Sequence, residues 1–248
     1  MVTYNPWHGC DKYSEGCLNC YVYRMDKMYG RDPKEFTITQ SLELPLKKDR
    51  YGNYKYPSGT KFFTCYTSDF FIDKADYIRD KVWNVIRIRQ DCNFMIITKR
   101  IDRVQQCLPI DWGYGWDNVN IVCTIENERQ LEYRMPIYNF LPIKHKSLCI
   151  EPLIEDIDLD SYLRFLNRPI ENIIAGGESG YGDTIRPCKE EWVIKLYNTA
   201  HKYGIPFCFK QTGTYFIRLN GKLETVARQH QMQYAQQLGY QDFSIYNL

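Results

Sequence analysis

The chain has 248 residues, of which 44% are hydrophobic and 25% are charged. This length and composition are typical of globular domains, and they exclude a disordered chain, a collagen and a coiled coil. The formal net charge of +2 excludes a strong overall field for nonspecific binding of nucleic acid, so any such contact needs a local basic patch. No export signal and no apolar run long enough to cross a bilayer stands out, so we expect a cytoplasmic protein with reduced thiols and no membrane contact.

Three cysteines lie close together near the start of the chain, in the segment NPWHGCDKYSEGCLNCY. Cys10, Cys17 and Cys20 have the spacing C-x6-C-x2-C, and the glycines before the first two allow the segment to fold back on itself. Three thiolates can hold a 4Fe-4S cluster through three of its irons and leave the fourth iron open. Two alternatives stay open: a structural zinc site with His8 as the fourth ligand, and a loop that binds no metal.

The next segment, residues 31–59, is rich in turn-forming residues and predicts an insertion or lid. Beyond it, short apolar runs predict strands that are covered on both faces. These runs are 61–67, 93–98, 120–124, 147–150, 172–176 and 206–209. Cysteines inside such runs are expected to act as small buried side chains. They are Cys65, Cys123, Cys149 and Cys208.

Segments with helical spacing alternate with these runs, one after Asp73 and another after Lys189. Residues 224–248 predict a surface helical segment. The alternation predicts an α/β fold of parallel strands with outer helices, arranged as a partial, TIM-barrel-like (β/α) barrel. An open doubly wound sheet is the alternative. We expect a single domain over residues 1–248.

Ionisable residues follow the predicted strands one after another. The acids, called here the strand-end acids, are Asp69, Glu126, Glu151 and Glu178; the bases are Lys99, Arg100 and Lys210. Residues that follow parallel strands meet at one edge of a sheet, so these side chains predict a polar cup. Carboxylates bind ammonium and hydroxyl groups, whereas bases bind carboxylates, so the cup suits a zwitterionic cofactor that carries a ribose. The pair Gly176 and Gly177 would let a ligand approach the backbone closely.

Ordered blocks between Asn5 and Gly213 carry a resemblance to a known family. They are NPWHGC with SEGCLNCY, FFTCYTSDFF, FMIITKR, VCTIEN, LCIEPL, IIAGGESG and PFCFKQTG. In these blocks the chain resembles a family of phage and bacterial three-cysteine proteins described as phage proteins of unknown function. That family looks like a divergent branch of the radical S-adenosylmethionine superfamily.

The resemblance implies a partial barrel of radical S-adenosylmethionine type with a 4Fe-4S cluster on Cys10, Cys17 and Cys20. S-adenosylmethionine would bind the open iron, and one electron would cleave it to methionine and a 5'-deoxyadenosyl radical that abstracts hydrogen from a substrate. The cysteine motif departs from the commonest pattern of that superfamily. The first gap has six residues instead of three, and Asn19 stands where an aromatic residue usually precedes the last cysteine.

For the cofactor, the resemblance implies Asp69 or Glu178 at the methionine amino group and Glu126 with Asn127 at the ribose hydroxyls. The catalytic candidates are the remaining charged residues of the cup: Lys99, Arg100, Glu151 and Lys210. The phage setting suggests a nucleotide or nucleic acid as substrate. The chemistry also requires an electron donor, and a protein partner is a further expectation.

A second hypothesis is a non-catalytic module, stabilised by zinc or a cluster, that binds nucleic acid or a protein. It rests on aromatic residues interleaved with basic ones, as at Tyr51, Tyr54, Lys55 and Tyr56, because aromatic rings can stack on bases. Such aromatic residues more often pack in cores or loops. The identity of the bound metal discriminates between this module and the radical enzyme.

Overall fold

The computed structural model describes residues 1–244, so residues 245–248 of the predicted C-terminal segment lie outside the described residues. The chain forms two compact units. Unit 1 comprises residues 1–12, 22–122 and 141–145; unit 2 comprises residues 13–21, 123–140 and 146 onward.

Short strands and helices alternate in the first half of the chain. In order they are β1 (Val2–Tyr4), β2 (Trp7–His8), α1 (Tyr21–Met28), β3 (Thr37–Ile38), β4 (Lys61–Thr64), α2 (Arg79–Ile88), β5 (Asn93–Thr98), α3 (Val104–Cys107) and β6 (Val119–Thr124). Strand β4 pairs in parallel with β1 on one side and β5 on the other. Strands β2 and β3 form a separate antiparallel pair.

The core of unit 1 is built on aromatic side chains from these strands. Phe62 of β4 stacks on Phe94 of β5 with ring centroids 5.1 Å apart, and Tyr4 of β1 meets both rings edge-on. Buried and less buried residues alternate along β4 and β5, so these two strands bury one face more deeply than the other. The prediction that strands are covered on both faces is therefore wrong for β4 and β5. It holds for β6, whose residues are buried on both faces.

The second half of the chain repeats the alternation. In order its elements are α4 (Glu128–Phe140), β7 (His145–Ile150), α5 (Asp160–Leu163), β8 (Ile173–Gly176), β9 (Cys188–Lys189), α6 (Glu190–Lys202), β10 (Phe207–Gln211), β11 (Tyr215–Ile217), β12 (Leu223–Thr225) and α7 (Gln231–Leu238). Strand β8 pairs in parallel with β7 and with β10. A small second sheet has the order β12-β11-β9.

The main sheet has seven strands in the order β1-β4-β5-β6-β7-β8-β10. All six apolar runs contribute a strand to it, which confirms the prediction of a mixed α/β fold with a parallel sheet. The helices predicted after Asp73 and Lys189 are α2 and α6, and α7 lies within the predicted C-terminal segment. Parallel pairing puts the carboxyl ends of neighbouring strands on the same edge, and this positions the strand-end acids within each unit.

Residues 31–59 contain β3, one turn of 3-10 helix at Leu44–Leu46, an antiparallel bridge between Lys48 and Tyr54, and otherwise turns and irregular backbone. Within residues 1–244, no helix combines the length and the apolar character that crossing a bilayer demands.

Candidate functional site

Solvent exposure divides the ten cysteines into two groups. All ten are free thiols, and only Cys10, Cys17 and Cys20 are partly exposed, whereas the other seven are buried. Burial raises the pKa of the Cys65 and Cys188 thiols well above the ordinary value. Because the thiolate is the form that binds metal, the buried cysteines are poor ligands. The division of the cysteines that spacing predicts therefore agrees with their exposure.

In unit 1, Cys10 is held by its backbone and faces a cation. Its N–H donates to the carbonyl of Pro33 at 2.9 Å, and its carbonyl accepts from the hydroxyl of Tyr23 at 2.6 Å. The guanidinium Nη1 of Arg100 lies 3.7 Å from the sulfur. A positive charge at that distance favours the thiolate form of Cys10, which is the form that can bind a metal.

The same guanidinium pairs with the first strand-end acid. Asp69 follows β4 and lies 3.4 Å from Arg100, with both side chains almost fully buried. Its carboxylate also accepts from the hydroxyl of Thr98 at 2.8 Å and from the N–H groups of Lys99 and Phe71. Asp69 is thus fixed by the end of β5, and Arg100 neutralises its charge.

His8 lies beside a polar cavity of about 600 Å³ in unit 1, whose lining also includes Asn5, Thr37 and Arg31. Its Nε2 contacts the carboxylate of Asp26 at 2.8 Å. Histidines that bind metals commonly use one ring nitrogen for the metal and the other for a carboxylate. In the zinc alternative, His8 would therefore bind through Nδ1.

In unit 2, the segment with Cys17 and Cys20 is seated on two strand-end acids. Ser14 donates a hydrogen bond to Glu126, which follows β6, and Asn19 donates to Glu178, which follows β8, at 2.9 Å. A turn of 3-10 helix at Glu15–Cys17 brings the N–H of Cys20 to the carbonyl of Cys17 at 3.3 Å. The segment that carries the predicted thiol ligands Cys17 and Cys20 is therefore hydrogen-bonded to two predicted cofactor ligands, Glu126 and Glu178.

Two glycines of the cysteine motif are required by their surroundings. Gly9 has a φ of +95°, and a Cβ atom there would lie 2.1 Å from the carbonyl oxygen of Glu35. A Cβ atom on Gly16 would lie 2.7 Å from a carboxylate oxygen of Glu126. Neither position has room for a side chain, so each glycine allows its part of the motif to pack closely.

Glu126 forms a fully buried ion pair with Arg134 of α4. Nη1 of Arg134 donates to the Glu126 carboxylate and to the carbonyl of Thr124, both at 2.6 Å, and both charged side chains are 0% exposed. The Nε and Nη2 groups of Arg134 have no hydrogen-bond partner among residues 1–244. The ring of Tyr13 lies over the guanidinium at 5.7 Å. Arg134 thus keeps two donors for an acceptor that the described residues do not supply.

The two remaining strand-end acids also have basic partners. Glu178 accepts from the backbone N–H and the guanidinium of Arg186, and Glu151 accepts from the Lys210 ammonium at 2.9 Å. With the pairs Asp69–Arg100 and Glu126–Arg134, every strand-end acid is paired with a base of its own unit. A cofactor ammonium at any of these acids would share or displace a cation that is already there.

The predicted residues Asn127, Gly176 and Gly177 have local structural roles. Asn127 accepts from the N–H of Gln130 at 3.0 Å and thereby caps the first turn of α4. A Cβ atom on Gly176 would lie 2.3 Å from a carboxylate oxygen of Glu151, and one on Gly177 would meet the backbone of the chain after β10. The space beside these glycines is thus filled by the protein itself, and their role in binding a cofactor stays a prediction.

Comparison with known proteins gives one family. Residues 1–239 match the family described as "Protein of unknown function (DUF5131)". The chain belongs to the DUF5131 family. Neither the curated proteins nor the solved structures yielded a match.

Among residues 1–244 of this DUF5131 protein, no three His, Cys, Asp or Glu side chains are grouped so that they could hold a metal ion together. The chemistry of the predicted donors nevertheless fits a cluster, because all three thiols are free and partly exposed and one of them faces Arg100. The metal site stays a prediction.

Arg134 and Arg186, the cations that pair with Glu126 and Glu178 in this DUF5131 protein, were not predicted from the sequence. Arg134 is a charged residue on the buried face of α4, between the buried residues Leu131 and Met135. A basic residue inside an apolar stripe is a usable signal, because burial of an unpaired charge is too costly to persist. Arg186 lies in irregular chain just before β9 and gives no comparable signal.

Proposed function

We propose that the protein is a radical S-adenosylmethionine enzyme, built as a partial β/α barrel, with a 4Fe-4S cluster on Cys10, Cys17 and Cys20. One observation carries the proposal: among the cysteines of residues 1–244, the three of the C-x6-C-x2-C motif are partly exposed and the other seven are buried. A thiol kept as a small apolar side chain is normally buried. Exposure of this set alone therefore supports a ligand role.

The chain's own residues would serve the cluster and the cofactor in distinct ways. The three cysteines would bind as thiolates, and Arg100 would favour the thiolate of Cys10. When bound, a cluster with one open iron supplies the electron that cleaves S-adenosylmethionine to methionine and a 5'-deoxyadenosyl radical. Residues that exclude water and fix the cofactor then determine which substrate hydrogen is abstracted.

Glu126 and Glu178 are the acids best supported as cofactor ligands, because each one contacts the segment that carries Cys17 and Cys20. Glu126 with Asn127 would bind the ribose hydroxyls. Either Glu178 or Asp69 would bind the methionine amino group. The Nε and Nη2 donors of Arg134 are buried beside Glu126 and have no partner among residues 1–244, so an acidic or carbonyl oxygen of a ligand that reaches them would satisfy both.

The charged groups that act on the substrate would come from Lys99, Arg100, Glu151 and Lys210. The ion pair between Glu151 and Lys210 is partly exposed, so both of its members can be reached by a ligand. The substrate would be a nucleotide or nucleic acid. An external electron donor would reduce the cluster.

A cleavage assay tests this proposal. Protein reconstituted anaerobically with iron and sulfide is given reductant and S-adenosylmethionine, and 5'-deoxyadenosine is measured. We expect product from the wild type and a raised KM for S-adenosylmethionine in Glu178→Gln. The matched control Glu191→Gln changes an exposed glutamate on α6 and should behave as wild type. A protein that carries the cluster but forms no 5'-deoxyadenosine refutes the proposed activity.

A zinc-stabilised binding module is the second candidate, and the contact of His8 with Asp26 favours it. In that case the three cysteines and Nδ1 of His8 would complete a tetrahedral Cys3His site. Elemental analysis of protein purified without chelators decides between the two. Zinc at one equivalent that is unaffected by anaerobic iron and sulfide supports the module.

A further inference from the structure

Residues 47–55 form a small hairpin within the turn-rich segment of unit 1, called here the 47–55 hairpin. The N–H of Lys55 donates to the carbonyl of Lys47 at 2.8 Å, and Lys48 and Tyr54 form an antiparallel bridge. At the tip, the Asp49 carboxylate accepts from the N–H groups of Tyr51 and Asn53 at 2.8 and 3.0 Å. These bonds give the hairpin a defined conformation in place of a loose loop.

The hairpin concentrates positive charge at the surface. Residues 47–56 contain four basic residues and one acidic residue, so their net charge is +3, against +2 for the whole chain. All four basic side chains are exposed: Lys47, Lys48, Arg50 and Lys55. The single carboxylate, Asp49, is bonded to the backbone of the turn. This is the local basic patch that the low overall charge requires for binding a polyanion.

An exposed aromatic ring stands among these charges. Tyr51, at the tip, is 71% exposed, and the guanidinium of Arg50 lies 4.6 Å from its ring centroid. The ammonium of Lys48 lies 5.1 Å from the ring of Tyr54. Each ring is thus held next to a cation, an arrangement that offers a stacking surface and a phosphate-binding group together.

A buried arginine supports the base of the hairpin. Arg89 is 0% exposed, and its guanidinium lies 4.1 Å from the ring of Tyr54. It donates to the carbonyl of Tyr56 at 2.7 Å and to the Asp91 carboxylate at 2.8 Å, and also to the carbonyl of Pro45. The hairpin is therefore anchored to the body of unit 1, which lowers the entropy that binding must overcome.

From these observations we infer that the 47–55 hairpin binds single-stranded nucleic acid. A base stacks on the open face of Tyr51, and the surrounding lysines and Arg50 bind backbone phosphates. A single strand fits better than a duplex, because stacking on a protein ring needs an unpaired, unstacked base. Binding at the hairpin requires neither a cluster nor radical chemistry.

Binding of labelled oligonucleotides to the metal-free chain of 248 residues tests the inference. The probes are fluorescein-labelled single strands of mixed sequence, DNA and RNA, on the order of 12 nucleotides long, and fluorescence anisotropy gives the Kd. We expect Tyr51→Ala to raise the Kd about tenfold, because loss of stacking on one base has that effect. Tyr51→Phe keeps the ring and should bind as wild type does.

The charge component is tested by the salt dependence. Lys48→Ala/Arg50→Ala should lower the slope of log Kd against log salt by about 1.4, since each phosphate contact to a single strand contributes about 0.7. Lys27→Ala/Lys81→Ala removes two exposed lysines outside the hairpin and should leave the slope unchanged. Tyr29→Ala removes an exposed ring that pairs with Arg31 at 5.5 Å elsewhere in unit 1, and it serves as the aromatic control.

Three results would overturn the inference. One is no saturable binding of either single strand by the wild type. Another is equal weakening by Tyr51→Ala and Tyr29→Ala. The third is binding of a duplex of the same sequence as tightly as the single strand, because a duplex leaves no base free to stack on Tyr51.

Discussion

The buried ion pair between Glu126 and Arg134 gives a sharp stability prediction. Both side chains are 0% exposed and their charged atoms are 2.6 Å apart. Arg134→Met removes the cation and leaves the carboxylate buried, with Ser14 as its remaining side-chain hydrogen-bond donor within residues 1–244. Breaking a buried pair in this way costs about 3–5 kcal/mol, so we expect a loss of that size in the free energy of unfolding.

A matched control lies on the same helix. Arg129 of α4 pairs with Glu15 at 3.0 Å, but these side chains are 78% and 43% exposed. Exposed pairs contribute less than about 1 kcal/mol, so Arg129→Met should be nearly neutral. The double variant Glu126→Leu/Arg134→Met removes both buried charges and should recover about 2–3 kcal/mol relative to the sum of the single variants.

Urea unfolding of the metal-free protein, followed by circular dichroism, provides the assay. The free energies of the wild type, Arg134→Met, Glu126→Leu, the double variant and Arg129→Met are compared. Equal losses for Arg134→Met and Arg129→Met would refute the reasoning. So would a double variant whose loss equals the sum of the two single losses, because the buried charges would then not be coupled.

Three further predictions concern thiol access, the cysteine segment and pH. Brief alkylation of the native metal-free protein, mapped by mass spectrometry, should label Cys10, Cys17 and Cys20 and spare the seven buried cysteines; labelling of Cys188 as fast as Cys17 would contradict this. Gly16→Ala should lower the free energy of unfolding by about 1–3 kcal/mol through overlap with Glu126, whereas Ser14→Ala should cost about 1 kcal/mol by loss of one hydrogen bond; a Gly16→Ala variant that unfolds in urea with the wild-type free energy would contradict the close packing of Gly16. Burial lowers the pKa of Lys146 from 10.5 to about 8, so the unfolded chain holds this proton more tightly, and stability attributable to Lys146 should rise with pH between about 8 and 10.5. Lys146→Met should abolish that rise, and an unchanged pH profile of urea unfolding in the variant would show that Lys146 is not its source.

The main sheet was predictable because its strands carry continuous apolar runs. Residues 93–98 coincide with β5, and 172–176 differ from β8 by one residue. Strand β1 escaped prediction because three residues at an edge form no apolar run. Helix α4 escaped because Pro136 and the buried charge of Arg134 disrupt its apolar periodicity. Local sequence signals thus identify strands that carry a continuous apolar run, and they miss elements whose stability comes from tertiary contacts.

The positions of the strand-end acids and the grouping of the three cysteines could be read from the sequence, but the cations that pair with those acids could not. Cysteine spacing and the position of charges after strands depend on local order, and both are visible in the sequence. Which cation neutralises which acid depends on contacts between distant residues, as for Glu178 with Arg186 and Glu151 with Lys210. In the sequence, the 47–55 hairpin likewise resembles a loose, turn-rich segment. Its support comes from a distant residue, because the Arg89 guanidinium lies just after α2.

Anaerobic reconstitution with iron and sulfide tests the central claim most directly. Iron content and the electron paramagnetic resonance spectrum of the reduced protein are measured for the wild type, Cys17→Ala and the buried-cysteine control Cys149→Ala. The account predicts about four irons per chain and a cluster signal in the wild type and in Cys149→Ala, with both lost in Cys17→Ala. Equal iron content in the two variants, or a wild type that takes up zinc and no iron, would contradict it.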